Sequence, residues 1–65
     1  MSAESELTPR IGTVARRELA LHGITAYDDL TVRSRAELLA IHGVGPKAVS
    51  ILAEELAARG QSFVG

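Results

Sequence analysis

Six consecutive residues, His42-Gly43-Val44-Gly45-Pro46-Lys47, constrain this chain more than any other stretch. Two glycines around one apolar residue permit a tight backbone turn that side chains with a Cβ would resist. Pro46 suits the first position of a new helix, where its missing N–H costs nothing and its fixed φ is already helical. Leu38, Leu39 and Ile41 before the turn, and Val49, Leu52 and Leu56 after it, give apolar spacing expected of two amphipathic helices. The predicted unit is therefore helix, hairpin, helix, with Leu38, Leu39 and Ile41 all in the core.

Such a turn is also chemically distinctive. The new helix presents unpaired N–H groups and the positive end of its dipole, the glycines allow close approach, and Lys47 lies one residue inside. A phosphate fits that description. The competing reading is a plain connector between two helices of a bundle, with Lys47 a solvated side chain. Lysine at a helix N-terminus is slightly unfavourable unless an anion is present, which tips the balance towards phosphate.

Size and composition narrow the alternatives. A chain of 65 residues makes one domain near the lower limit for independent folding. Its only aromatics are Tyr27 and Phe63, so the core has to be aliphatic, as in a helical bundle. With no cysteine, disulfides and thiolate metal sites are excluded. No apolar run approaches the ~18 residues of a membrane span, and Met1 to Arg10 lacks the regions of a signal peptide, so a cytoplasmic location is expected. The net charge of −1 gives no global attraction for nucleic acid, and any contact with DNA should be weak, salt-dependent and confined to one face.

In chain order, residues 1–8 are expected to form a flexible leader ahead of a domain over 9–65. Met1 to Glu6 should fray, and Leu7 to Gly12 should run extended, with Ile11 anchored on the core. A first helix is predicted from Thr13, as its cap, to His22, ended by Gly23. Arg16 and Arg17 point away from its apolar stripe and have no acidic residue three or four positions away. Thr25-Ala26-Tyr27-Asp28 reads as a variant capping box for a short helix ending near Leu30, and Ser34-Arg35-Ala36-Glu37 as a regular one. The last helix should run from Pro46 to about Arg59, with a Glu55–Arg59 pair, a stop at Gly60 and Phe63 folded back on apolar surface. Leu19-Ala20-Leu21-His22-Gly23-Ile24 recurs conservatively as Leu39-Ala40-Ile41-His42-Gly43-Val44, which suggests a duplicated hairpin. The expected fold is all-α, a compact bundle of four to five helices with pseudo-duplicated hairpins.

The stretch from Leu38 to Leu52 resembles the helix-hairpin-helix motif of DNA-binding proteins, and the bundle as a whole is expected to be SAM-domain-like. From Ile11 to Phe63 the layout is similar to the C-terminal domain of the bacterial RNA polymerase alpha subunit and to small stand-alone bacterial relatives of that motif. The resemblance implies a non-enzymatic module that grips the sugar-phosphate backbone of double-stranded DNA without reading sequence. His42, Gly43, Val44, Gly45, Lys47 and Ala48 would make the contacts, and Arg16 and Arg17 would support them. It also allows a monovalent cation on the hairpin carbonyls; no other cofactor is expected. Two positions depart from the polymerase domain: Ala48 stands where that family has serine, and Val14 where it has a minor-groove arginine. Both departures favour a generic backbone grip over promoter-element recognition.

Other chemistry is poorly supported. His22 and His42 should cap helix C-termini, where the dipole favours an imidazolium. Neither Asp28-Asp29 nor Glu54-Glu55 places both carboxylates on one helical face, so neither makes an acid/base dyad. No small-molecule substrate and no membrane contact is expected. The alternative function is a protein-interaction module, an adaptor or self-associating bundle, in which the hairpin is purely structural.

Overall fold

The structure, a computed structural model, describes residues 5–64, so the part of the leader at 1–4 lies outside the described residues. The fold is all-α. Helices α1 (Thr13–Leu21), α2 (Tyr27–Leu30), α3 (Arg35–Leu39) and α4 (Pro46–Ala58) follow a short 3-10 turn at Pro9–Ile11. They enclose one aliphatic core within a body of 31 × 21 × 19 Å. The long α4 packs against the 3-10 turn and α3.

Each helix start has a local cause, and two differ from expectation. Thr13 does not cap α1. It is the first helical residue, and Gly12, at φ 94°, takes the cap position without a side-chain bond. The residue that closes the start of α2 is Asp29 rather than Asp28, its Oδ2 accepting from the N–H groups of Thr25 and Ala26, each at 3.0 Å. At α3 the expected capping box is present: Ser34 Oγ accepts from Glu37 N–H at 3.1 Å, and Glu37 Oε1 accepts from Ser34 N–H at 2.7 Å. Pro46 opens α4.

The N-terminal segment is more ordered than a leader. Leu7 is 1% exposed and belongs to the core with Leu19, Leu30, Leu38, Leu52 and Leu56. Thr8 N–H donates to the Tyr27 hydroxyl at 2.9 Å, Glu6 N–H to Thr25 O at 2.6 Å, and Arg16 Nη2 to Ser5 O at 2.7 Å. Thr8 Oγ1 accepts from Arg10 N–H at 3.2 Å and Pro9 sits at the first helical position, which makes this entry a 3-10 turn instead of extended chain. Among the described residues, packing and hydrogen bonding reach back to Ser5.

Helix α3 stops at Leu39, with Ala40 as its C-cap, so Ile41 lies beyond the helix. Leu38 is fully buried and Ile41 packs on the core, whereas Leu39 is 41% exposed and does not contribute to it. At the other end of the chain Arg59 donates to Glu55 Oε1 at 3.1 Å, as its spacing suggests. Phe63 packs against the core with the Arg35 guanidinium 5.8 Å from its ring centroid. Val64 N–H donates to Arg33 O at 3.0 Å, which ties the tail beside the start of α3.

The repeated hexapeptide does not produce repeated helix ends. After α1, Gly23 N–H donates to Ala20 O and Ile24 N–H to Leu19 O, the paired bonds of a Schellman motif. The partner of that motif is the end of α4, where Gly60 N–H donates to Ala57 O and Gln61 N–H to Leu56 O. After α3 the bonding is different. Val44 N–H donates to Ile41 O at 3.1 Å across a four-residue β-turn with Gly43 third, at φ 88°.

Candidate functional site

The hairpin is built by that β-turn and the residues after it. A positive φ at the third position of such a turn is a conformation that glycine adopts without a Cβ penalty, so Gly43 is required by the backbone. Val44 then turns inward and is buried, anchoring the loop on the core. Gly45 follows at φ −98° and ψ 177°, ordinary extended backbone of the kind favoured before proline. A Cβ there would meet nothing within 4 Å. The turn therefore needs glycine at 43, and its geometry does not need it at 45.

Helix α4 begins without a side-chain cap. Its first bond into the loop is Val49 N–H to Gly45 O at 3.1 Å, and among the described residues no protein acceptor meets the N–H groups of Gly43, Gly45, Lys47 or Ala48. These donors cluster at the positive end of a 13-residue helix. Lys47 is exposed and makes no ion pair or hydrogen bond among the described residues. Ala48 presents only its backbone, its methyl group being buried.

The two arginines differ sharply. Arg16 is half-buried on the side of α1 that faces the N-terminal segment; its Nη2 is held by Ser5 O and its Nε is buried without a partner. Arg17 is exposed and, among the described residues, unpaired. It follows Val14 by three residues, and Val14 and Glu18 are the residues of α1 that lie against Gly43 of the hairpin. A Cβ built on Gly43 would lie 3.0 Å from Val14 Cγ1 and 3.1 Å from Glu18 Cγ. The remaining lysine and arginine side chains are engaged elsewhere: Arg10 with Glu54 and Glu55, Arg33 with the His22 carbonyl at 3.5 Å, Arg59 with Glu55 and the face of Tyr27, and Arg35 over Phe63.

Glu18 is the neighbour that sequence reasoning passed over. It lies one turn after Val14 on α1 and reaches the hairpin only through tertiary packing, so no local pattern marks it. The histidines also part company. His22 caps as expected, its Nδ1 2.9 Å from Glu18 O, whereas His42 is exposed in the turn, beyond the end of α3. Among the described residues there is no group of three or more His, Asp or Glu placed to hold a metal, and no helix is long and apolar enough to cross a membrane.

Chemically, this arrangement can accept an anion from outside: unpartnered backbone donors around the start of one helix, a half-exposed glycine with room for a ligand, and an exposed lysine without a partner among the described residues. No family model matches this chain, and no curated protein and no solved structure matches it either.

Proposed function

We propose that the protein is a non-enzymatic module of the helix-hairpin-helix type that grips the sugar-phosphate backbone of double-stranded DNA without reading sequence. The observation that carries the reading is the concentration of unpartnered donors at Gly43, Gly45, Lys47 and Ala48 beside a glycine that the fold itself does not require. A phosphate oxygen can approach such a surface to hydrogen-bond distance, and Lys47 adds a mobile charge. Arg17 is the supporting cation, free and one turn from the Val14–Gly43 contact. Arg16 plays a structural part by holding Ser5. His42 lies at the rim of the turn and Val44 fixes the loop from beneath.

A net charge of −1 makes the grip weak and strongly dependent on salt. On this reading, which we extend to the cytoplasm of a bacterium, the turn after α1, with Thr25 in the place that Gly45 takes in the recurring sequence, is structural and takes no part in the grip. The test is an amide-shift titration with a short duplex at ~20 mM salt, where counterion release most favours binding. Shifts at residues 43–48 and around Arg17 are expected, and Lys47→Glu should weaken binding and lower the salt slope by about one unit. A hairpin that shows no shifts, or the same shifts and affinity in Lys47→Glu, would rule the reading out.

A second reading has its own observation. Val14 and Leu21, 58% and 73% exposed, lie seven residues apart on one side of α1, as a helix face that docks a protein would. Concentration-dependent association that persists at high salt, without DNA-induced shifts, would favour it.

A further inference from the structure

Glu18 is a carboxylate at the edge of a site built from donors. Its Cγ lies against Gly43, within 3.1 Å of the position a Cβ would take. Its carboxylate carbon is one bond further on, so the charge is tethered close to Gly43, whose own N–H has no acceptor among the described residues. The ion pairs among the described residues are those of Arg10 and Arg59 with Glu54 and Glu55, so Glu18 is not neutralised by a partner. Val14 Cγ1 lies 3.0 Å from the same point, so the two side chains flank Gly43 together.

We propose that Glu18 is a specificity-determining residue for the hairpin, an internal anion that lowers its affinity for phosphate in trans. This inference rests on the phosphate-binding reading of the same hairpin. A phosphate seated on the Gly43–Ala48 donors meets the Glu18 charge at close range, and two like charges repel by an amount that grows as water between them is excluded. Lys47 and Arg17 pull in the opposite sense. The site therefore opposes two unpaired cations with one unpaired carboxylate, and it is usefully occupied only where several phosphates are offered together along a backbone. A single free phosphate is rejected.

The experiment compares the native chain with Glu18→Gln, which keeps the shape and removes the charge, and with Glu18→Ala, which removes the group. Each is titrated with a short DNA duplex and separately with inorganic phosphate at ~20 and ~200 mM salt, following amide shifts at residues 43–48. Both variants should bind the duplex about 3- to 10-fold more tightly at the lower salt, with the gain shrinking at the higher salt as screening sets in. Inorganic phosphate should shift residues 43–48 only in the variants. Equal duplex affinity in all three proteins, with shifts still at residues 43–48, overturns the role of Glu18 and leaves the hairpin as the binding site. A duplex that shifts residues 43–48 in none of them overturns both. The undisturbed remainder of the amide spectrum reports that each variant is folded.

Discussion

Gly43 and Val14 face each other across the gap between hairpin and first helix so closely that a Cβ on Gly43 could enter only if Val14 gave way. A Cβ on Gly43 would fall 3.0 Å from Val14 Cγ1, at a backbone φ of 88° that already disfavours any other residue. Gly23 also has a positive φ, 78°, but a Cβ there meets open space. The pair separates two costs. Gly23→Ala should lose about 1–2 kcal/mol from left-handed strain alone. Gly43→Ala carries the same strain plus displacement of Val14 and Glu18, and should lose about 1 kcal/mol more. Urea unfolding followed by circular dichroism measures both, and equal losses would mean that α1 gives way freely at the contact.

Gly45 offers the converse experiment. Serine there has room for its Cβ and supplies the capping oxygen that α4 lacks, so Gly45→Ser should hold stability or raise it by roughly 0.3 kcal/mol. It also gives one of the free donors of α4 an internal acceptor and crowds the approach to the others. DNA-induced shifts at residues 43–48 should fall while the midpoint of thermal unfolding does not. Undiminished shifts would show that phosphate does not approach through Gly45.

Arg16 and Arg17 are neighbours in sequence with opposite roles in space. Arg16→Ala removes a half-buried guanidinium that holds Ser5 O at 2.7 Å, and should cost about 1–2 kcal/mol, with the largest amide shifts at residues 5–8. Arg17→Ala touches nothing in the free protein and should stay within about 0.5 kcal/mol of the native chain. Its effect belongs in DNA affinity at low salt, where Arg16→Ala should act only through stability. Titrations at a temperature where both variants are folded separate the two.

Much of this architecture was legible because its signals are local. Ser34 with Glu37, Pro46 at the start of α4, and Glu55 with Arg59 are each set by residues within four positions of one another, and each is found as its spacing suggests. The misreadings have equally specific causes. Leu38 and Ile41 are three apart and share a face, while Leu39 lies about 100° round the helix; reading all three as core ignored that angle. Leu7 is a single apolar residue among polar ones, and one residue makes no period, so its burial was invisible. Arg16 is held by a backbone carbonyl, which carries no residue-type signature. At the candidate site the turn and the lysine could be read directly, but the approach of Glu18 is a product of packing between elements 25 positions apart, from Glu18 to Gly43.

Asp29 tests how much the smallest helix owes to one side chain. Helix α2 has four residues and cannot sustain itself by propagation; its start is held by Asp29 Oδ2, which accepts from Thr25 and Ala26 N–H groups at 3.0 Å each. Asp29→Ala leaves both half-buried donors without that acceptor and should cost about 1–2 kcal/mol, a large share of the stability of so small a domain. The loss should be felt beyond α2, because Tyr27 and Leu30 carry that helix into the core and the Tyr27 hydroxyl receives Thr8 N–H. Asp29→Asn keeps an oxygen in place and should recover about half of the loss, since what it forfeits is the charge that strengthens the two bonds. Asp28→Ala, one residue earlier and exposed, should cost less than about 0.5 kcal/mol, its contact being a surface bond from Gln61 at 3.1 Å. Chemical unfolding of the three variants, with amide exchange at Thr25 and Ala26 as the local readout, reverses this account if Asp28→Ala proves the costlier change.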